Sequence, residues 1–267
     1  MYNFKNPVNS YWENTKPDVN FIQTTIKSDI KSDIVVIGGG YTGLSCALQL
    51  SKKFGFEVSL VEAGIKIGYG SSARNAGFLC MGPTKLSTNQ LIKKYGLDEV
   101  KRYYKDQVDG SNFTVQLAKE YNINCDIVGN LNFEVAHHPS FFDSMKEDSN
   151  NLTKYFGIKT KSYTKEEFNS IGHTGSEQYG AVSYEPGCAL NPLKFLLGIA
   201  KACYDNKVKL FSNSKVLKVE KTQNGYLVIT KMGNILCKKI VFAVNGFYQD
   251  NFLPQFKNRI LPAISNI

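Results

Sequence analysis

The residues of this 267-residue chain with the clearest chemical purpose are three glycines, Gly38, Gly40 and Gly43, and one downstream acid, Glu62. Gly38 permits a tight turn, and Gly40, lacking a Cβ, lets a pyrophosphate approach the backbone. Gly43 allows a following helix to pack closely on the preceding strand. Glu62 can accept hydrogen bonds from ribose hydroxyls, and its charge would repel a ribose 2′-phosphate. Together they point to a site for an adenine dinucleotide other than NADP, and they make an oxidoreductase the first hypothesis.

That chemistry requires a strand, a turn, a helix and a second strand in fixed order. Asp33 precedes the apolar run Ile34 to Ile37, as a strand covered on both faces would have. A helix is expected from about Tyr41 to Lys53, with Leu44, Ala47, Leu48 and Leu50 on one face. Its N-terminus would aim free N–H groups and a partial positive charge at phosphates. VSLVEAG at 58–64 reads as the second strand, ending on Glu62.

Composition narrows the alternatives. With 42% hydrophobic and 12% aromatic residues the chain can bury a real core. Its apolar runs are too short to cross a bilayer, so no integral membrane segment is expected. The polar N-terminus lacks the apolar stretch of a signal peptide, and the expected compartment is the cytoplasm. The formal charge of +9 is carried by scattered lysines, arginine occurring only at 74, 102 and 259. Phosphate-reading surfaces favour arginine for its bidentate fork, so nucleic acid is not an expected partner. The six cysteines show no C-x-x-C spacing and are read as structural thiols. His137, His138 and His173 sit in loop-like stretches, so neither a metal site nor a nucleophile–histidine set is expected.

Further along, residues 1–31 form a polar leader whose aromatics, Trp12 among them, would dock on the main body. Helices are expected over 87–95, 97–121, 140–157 and 164–170, the last with a Thr164–Glu167 capping box, and from Asn191-Pro192 to about Tyr204. Strands are expected over 130–136 and 180–184 and from Lys239 to Asn245. Lys207–Lys218 and Tyr226–Lys231 would pair as a hairpin around Gln223-Asn224-Gly225. A nucleotide-binding unit followed by mixed elements and returning strands fits a flavoprotein better than a simple nicotinamide dehydrogenase.

Four pieces of sequence then resemble the FAD-dependent D-amino-acid oxidase-type oxidoreductases: IGGGYTGLS at 37–45, Glu62-Ala63, GSSARNAGFL at 70–79 and VFAVNG at 241–246. SYW at 10–12, CDIVGNLNFEVA at 125–136 and GCALNPLKFLLGIA at 187–200 look most like the γ-glutamylputrescine oxidoreductase branch. The resemblance implies an α/β fold: a Rossmann-like FAD-binding domain with an inserted α+β substrate domain. The implied FAD-binding segments are 1–122 and 187–250, the substrate segments 123–186 and 251–267.

It also implies FAD as cofactor and a set of contacts. Gly38, Gly40, Tyr41, Thr42 and Gly43 would line the pyrophosphate, and Glu62 with Ala63 would hold the adenosine ribose. Ser71, Ser72, Ala76, Gly77 and Phe78 would lie along the flavin. Val216 would contact adenine through its backbone, while Ala243 and Gly246 would line the same cleft. Arg74 could neutralise a phosphate, brace its loop or form a surface salt bridge. Relatives often carry glycine where this chain has Ala73, and alanine tolerates positive φ poorly, so the turn there need not follow theirs.

The implied reaction transfers a hydride from the carbon bearing an amine nitrogen to FAD, with hydrolysis of the resulting imine. An amine or amino acid is the expected small-molecule substrate, and oxygen or another acceptor takes the electrons. No catalytic residue stands out, because an amine bound in its neutral form needs no general base. Relatives continue beyond the point matching 256–267, so an N-terminal portion of a longer enzyme is expected, with an incomplete substrate pocket and an exposed apolar edge. The competing readings are a truncated, non-catalytic nucleotide-binding fragment and an NAD-dependent dehydrogenase. Oligomeric state is left open.

Overall fold

The computed structural model describes residues 4–6, 9–18, 20–81, 85–247 and 258–260. In chain order its elements begin with β1 (Ile30–Ile37), α1 (Tyr41–Phe54), β2 (Val58–Val61), β3 (Phe78–Cys80), α2 (Thr88–Tyr95) and α3 (Leu97–Glu120). There follow β4 (Asn132–Val135), α4 (Pro139–Phe156), β5 (Thr160–Tyr163), α5 (Lys165–Asn169), β6 (Ala181–Tyr184) and β7 (Gly187–Ala189). The last are α6 (Pro192–Asp205), β8 (Lys209–Phe211), β9 (Val216–Thr222), β10 (Gly225–Thr230) and β11 (Asn234–Phe242).

These elements form two compact units. The first comprises Met1–Gly77, Ala118–Cys125 and Asn191–Ile267; the second comprises Phe78–Leu117 and Asp126–Leu190. The expected boundary at 122 differs from this division, because Val100 and Tyr104 of α3 pack in the second unit with Leu152, Val182 and Tyr184.

The first unit is built on a six-stranded sheet of order β8-β2-β1-β11-β10-β9. β1 pairs in parallel with β2 on one side and β11 on the other. A strand flanked and covered in this way needs apolar residues on both faces, which is why Ile34 to Ile37 run without alternation and are all buried. Val35, Ile37, Val61, Val216, Val228 and Ile235 form the core on one face of this sheet. α1 buries Gly43, Leu44, Ala47 and Leu48 and stops at Gly55, which takes the left-handed conformation at φ +67°. α6 begins at the expected Asn191 cap, whose Oδ1 accepts from Lys194 N–H at 3.1 Å. It packs beside α1, where Cys203 Sγ meets Leu44 O at 3.3 Å. All six cysteines are free thiols.

The second unit holds a three-stranded antiparallel sheet, β4-β6-β5, and a separate β3–β7 ladder. Central β6 is buried at every position. α5 has the expected capping box, Thr164 accepting from Glu167 N–H and Glu167 from Thr164 N–H. His138 caps α4, its ring nitrogen accepting from Ser140 N–H, which places it structurally.

Two expectations need correction. Lys207–Lys218 is not one arm of a hairpin. Its first part, β8, joins the parallel edge beside β2, and only β9 pairs with β10. The break falls at Asn213, which takes φ +49°; its N–H reaches Gly64 O at 2.6 Å and Ser214 N–H reaches Glu62 O at 2.9 Å. β11 also starts earlier than expected, at Asn234, because it runs in register with all of β1 from the Ile30–Ile235 pair onward. The C-terminal stretch 256–267 lies outside the described residues except for 258–260.

Candidate functional site

A cleft of about 590 Å³ opens in the first unit where β1, β2 and β11 end. Among the segments that converge on it are the turn between β1 and α1, the end of β2, the loop at 69–72 and the chain leaving β11. This is the position at which open α/β sheets bind ligands, beyond the carboxyl ends of parallel strands.

The turn is glycine-built for steric reasons visible in the backbone. Gly38 sits at φ +113°, and a Cβ there would lie 2.3 Å from Ala243 O. A Cβ on Gly43 would lie 1.9 Å from Gly38 O, so the closeness of α1 to the turn requires glycine. Gly40 lines the cleft, and a Cβ on it would come within 2.9 Å of Ser72 Oγ. Gly40 is also the N-cap of α1 and offers no side-chain cap. Tyr41 N–H donates to Ser72 Oγ at 3.2 Å, and Leu44 N–H reaches back to Gly40 O at 2.9 Å. The Tyr41 donor is thus partly satisfied by Ser72, and the start of α1 brings Thr42 and its positive dipole end to the cleft.

Glu62 closes β2 as expected. It is buried, yet its carboxylate is held in place: Oε2 accepts from Gly39 N–H at 2.8 Å and Oε1 from Gly64 N–H at 2.7 Å. Burial pushes its pKa up, and these backbone donors pull it back only in part. Ala63 N–H donates to the carboxylate as well, and its four lone-pair sites still leave room for one ligand hydroxyl.

The small-residue loop supplies the third wall. Ser71 and Ser72 start a 3-10 turn ending at Ala73, and both line the cleft. Asn75 braces the turn from within, donating to Ser71 O and Ser72 O and accepting from Gly77 N–H. Ala73 is buried and is not among the positive-φ residues, so the alanine is unstrained; Gly77 takes the left-handed position at φ +81° instead.

Of the expected site residues, Gly38, Gly40, Tyr41, Thr42, Glu62 and Ala63 line the cleft, as do Ser71, Ser72, Val216 and Ala243. The Tyr41 hydroxyl donates to Pro192 O and its ring packs on Phe195. Gly43, Ala76 and Gly77 lie off the lining, as does Gly246 in the 3-10 turn Asn245–Phe247. Phe78 opens β3 in the second unit with 73% of its surface exposed. Arg74 is a brace: its guanidinium donates to Tyr69 O at 2.6 Å and Gly70 O at 3.3 Å and stacks on the Tyr69 ring.

Sequence reasoning did not single out Gly39, Tyr69, Asn245, Phe4 or Lys215, all on the lining. Gly39 could have been found, since it stands inside the glycine triplet and supplies the N–H that pins Glu62. Phe4 could not, because no local pattern ties the leader to a cleft formed by distant segments. Among the described residues no cluster of potential metal ligands occurs, and no helix is long and apolar enough to cross a membrane.

Comparison with known proteins decides the family. The sequence profile of the FAD dependent oxidoreductase family matches residues 33–266. The chain belongs to this family. It is 30% identical over 240 residues to gamma-glutamylputrescine oxidoreductase of Escherichia coli K12, an alignment covering 89% of this chain and 54% of that protein. A probable oxidoreductase OrdL of Rhizobium meliloti is 26% identical over 263 residues, covering 98% of this chain and 60% of that one. The chain thus spans roughly half the length of these relatives. In fold it is similar to glycine oxidase from Geobacillus kaustophilus, with a TM-score of 0.66 at 18% identity, over 81% of this chain and 56% of that one.

FAD is the family's cofactor, and the cleft passes a test of fit. It has a cradle that Cβ atoms would fill, the positive end of α1 with Thr42 on the lining, and a buried carboxylate with room for one more donor.

Proposed function

We propose that this chain forms the FAD-holding part of an oxidoreductase that oxidises a C–N bond of an amine or amino acid. The observation that carries the reading is the meeting of the glycine turn, Glu62 and the Ser71–Ser72 loop on one cleft. Tyr41 and Thr42 would line the pyrophosphate at the start of α1, with the Thr42 N–H as donor and the Tyr41 N–H shared with Ser72 Oγ. Glu62 would accept from the adenosine ribose hydroxyls, and Ala63 and Val216 would flank the same end. Ser71, Ser72 and Ala243 would lie along the remainder, with Asn75 and Arg74 keeping the loop in shape. Ala76, Gly77 and Phe78, off the lining, remain proposed flavin-side contacts, and Gly246 a proposed cleft residue, by resemblance alone.

When bound, FAD supplies a hydride acceptor: the carbon bearing the amine nitrogen gives up hydride, water hydrolyses the resulting imine, and oxygen or another acceptor takes the electrons. The protein's part is binding, orientation and exclusion of water. The family match and the relative from Escherichia coli support an amine substrate, and a polyamine conjugate is the first compound to try.

The test is anaerobic mixing of the FAD-loaded protein with a panel of amines and amino acids. Bleaching of the visible flavin absorbance by an amine, with release of the carbonyl product, is the expected result. A flavin that stays oxidised with every amine and amino acid, yet is reduced by another substrate class, would overturn the reading.

A further inference from the structure

We propose that the N-terminal arm belongs to the cofactor site, with Phe4 forming a wall of the cleft that slows release of a dinucleotide held there. The proposal rests on the dinucleotide reading of the cleft and adds a residue far from every motif that supports it.

The arm is fixed beside the cleft by its backbone. Phe4 O accepts from Ile65 N–H at 3.3 Å, and Asn6 O accepts from the Tyr69 hydroxyl at 3.1 Å. Both partners belong to the segment between Glu62 and Ser71, the two groups the ligand must reach. The Phe4 ring then packs on Tyr69 (centroids 5.6 Å, planes at 50°) and on Phe247 (5.6 Å, 62°). Lys215 Nζ stands 5.7 Å from the same ring centroid. Phe4, Tyr69, Phe247 and Lys215 all line the cleft. One ring therefore joins three chain segments: the loop after β2, the residue before Val216, and the exit of β11.

This geometry has two physical consequences. An apolar wall keeps water from one flank of the cleft, which strengthens the hydrogen bonds that Glu62 and the turn amides can offer. A lysine ammonium near an aromatic face is held by the ring's quadrupole, which keeps positive charge at the rim where an anionic ligand enters. The opposite role, a ring occupying space the ligand needs, predicts the opposite sign on mutation.

The test is the equilibrium and off-rate of FAD measured on the whole chain and on Phe4→Ala and Phe4→Tyr. Phe4→Ala should raise the dissociation constant roughly three- to tenfold, the range that such ring contacts support, mostly through faster release. The FAD-free Phe4→Ala chain should still unfold cooperatively, with a midpoint lowered by the lost ring contacts, and Phe4→Tyr, which keeps the ring, should retain full affinity. Equal or tighter binding by Phe4→Ala overturns this proposal alone. Absence of FAD binding by the unaltered chain overturns the dinucleotide reading and this proposal with it.

Discussion

Replacing Glu62 with alanine separates what the carboxylate does for the fold from what it does for a ligand. The side chain is 8% exposed and accepts two backbone N–H groups at 2.7 and 2.8 Å. Hydrogen bonds to a charged group contribute roughly 1.5–3 kcal/mol each. Burial of the charge opposes them, which is why the pKa stays above its ordinary value despite the donors. Water from the adjoining cleft can also reach the amides once the side chain is gone. The net destabilisation of the FAD-free chain should be about 1–3 kcal/mol, well below the sum of the two bonds.

The pH dependence has a definite sign. A carboxyl whose pKa is raised on folding binds more protons in the native state than in the unfolded one. Its contribution is complete below the ordinary value of 4.5 and is lost as pH rises through the folded value. The stability gap between the unaltered chain and Glu62→Ala should therefore be widest at about pH 4.5 and narrow as pH rises through the folded value. Urea unfolding across that range reads the gap directly. A gap that widens with pH would refute the electrostatic argument. FAD affinity should fall by a further 1–3 kcal/mol or so, the consequence of losing charge-assisted bonds to ribose. Unchanged affinity would leave Glu62 as a structural pin alone.

Two other substitutions probe the same cleft. Gly40→Val puts a branched side chain against Ser72 Oγ, which a Cβ alone would approach to 2.9 Å, and should abolish FAD retention; a variant purified with normal FAD content would contradict the assignment. Ala73→Gly, a change toward the relatives' pattern, should lower stability by about 0.5–1 kcal/mol, since Ala73 is buried without strain and glycine only adds freedom to the unfolded chain. A stabilised variant in thermal unfolding would show that the turn is strained after all.

What could be read from the sequence was what local patterns determine. The β1 run, the glycine spacing, the α1 face (save Leu50, which is only half-buried), the Asn191 cap and the Thr164–Glu167 box each depend on residues a few positions apart, and each lies where expected. The failures are non-local. Nothing within Lys207–Lys218 announces that β8 will pair with β2 while β9 turns to β10, since β-pairing is chosen by partners elsewhere in the chain. Arg74 was open among three roles because its acceptors are carbonyls, Tyr69 O and Gly70 O, which carry no side-chain signature. Trp12 of the leader does dock, through a 2.8 Å bond to Asn75 O, but the place of docking was not readable.

The central claim is that the cleft at the ends of β1, β2 and β11 holds FAD. Its most direct test is a titration of the purified chain with FAD, followed by competition with ADP, NAD and NADP. The account predicts saturable binding of one FAD per chain, displaced by ADP, which shares the adenosine and pyrophosphate, and resisted by NADP, whose 2′-phosphate meets Glu62. No saturable FAD binding, or a preference for NAD, would contradict it.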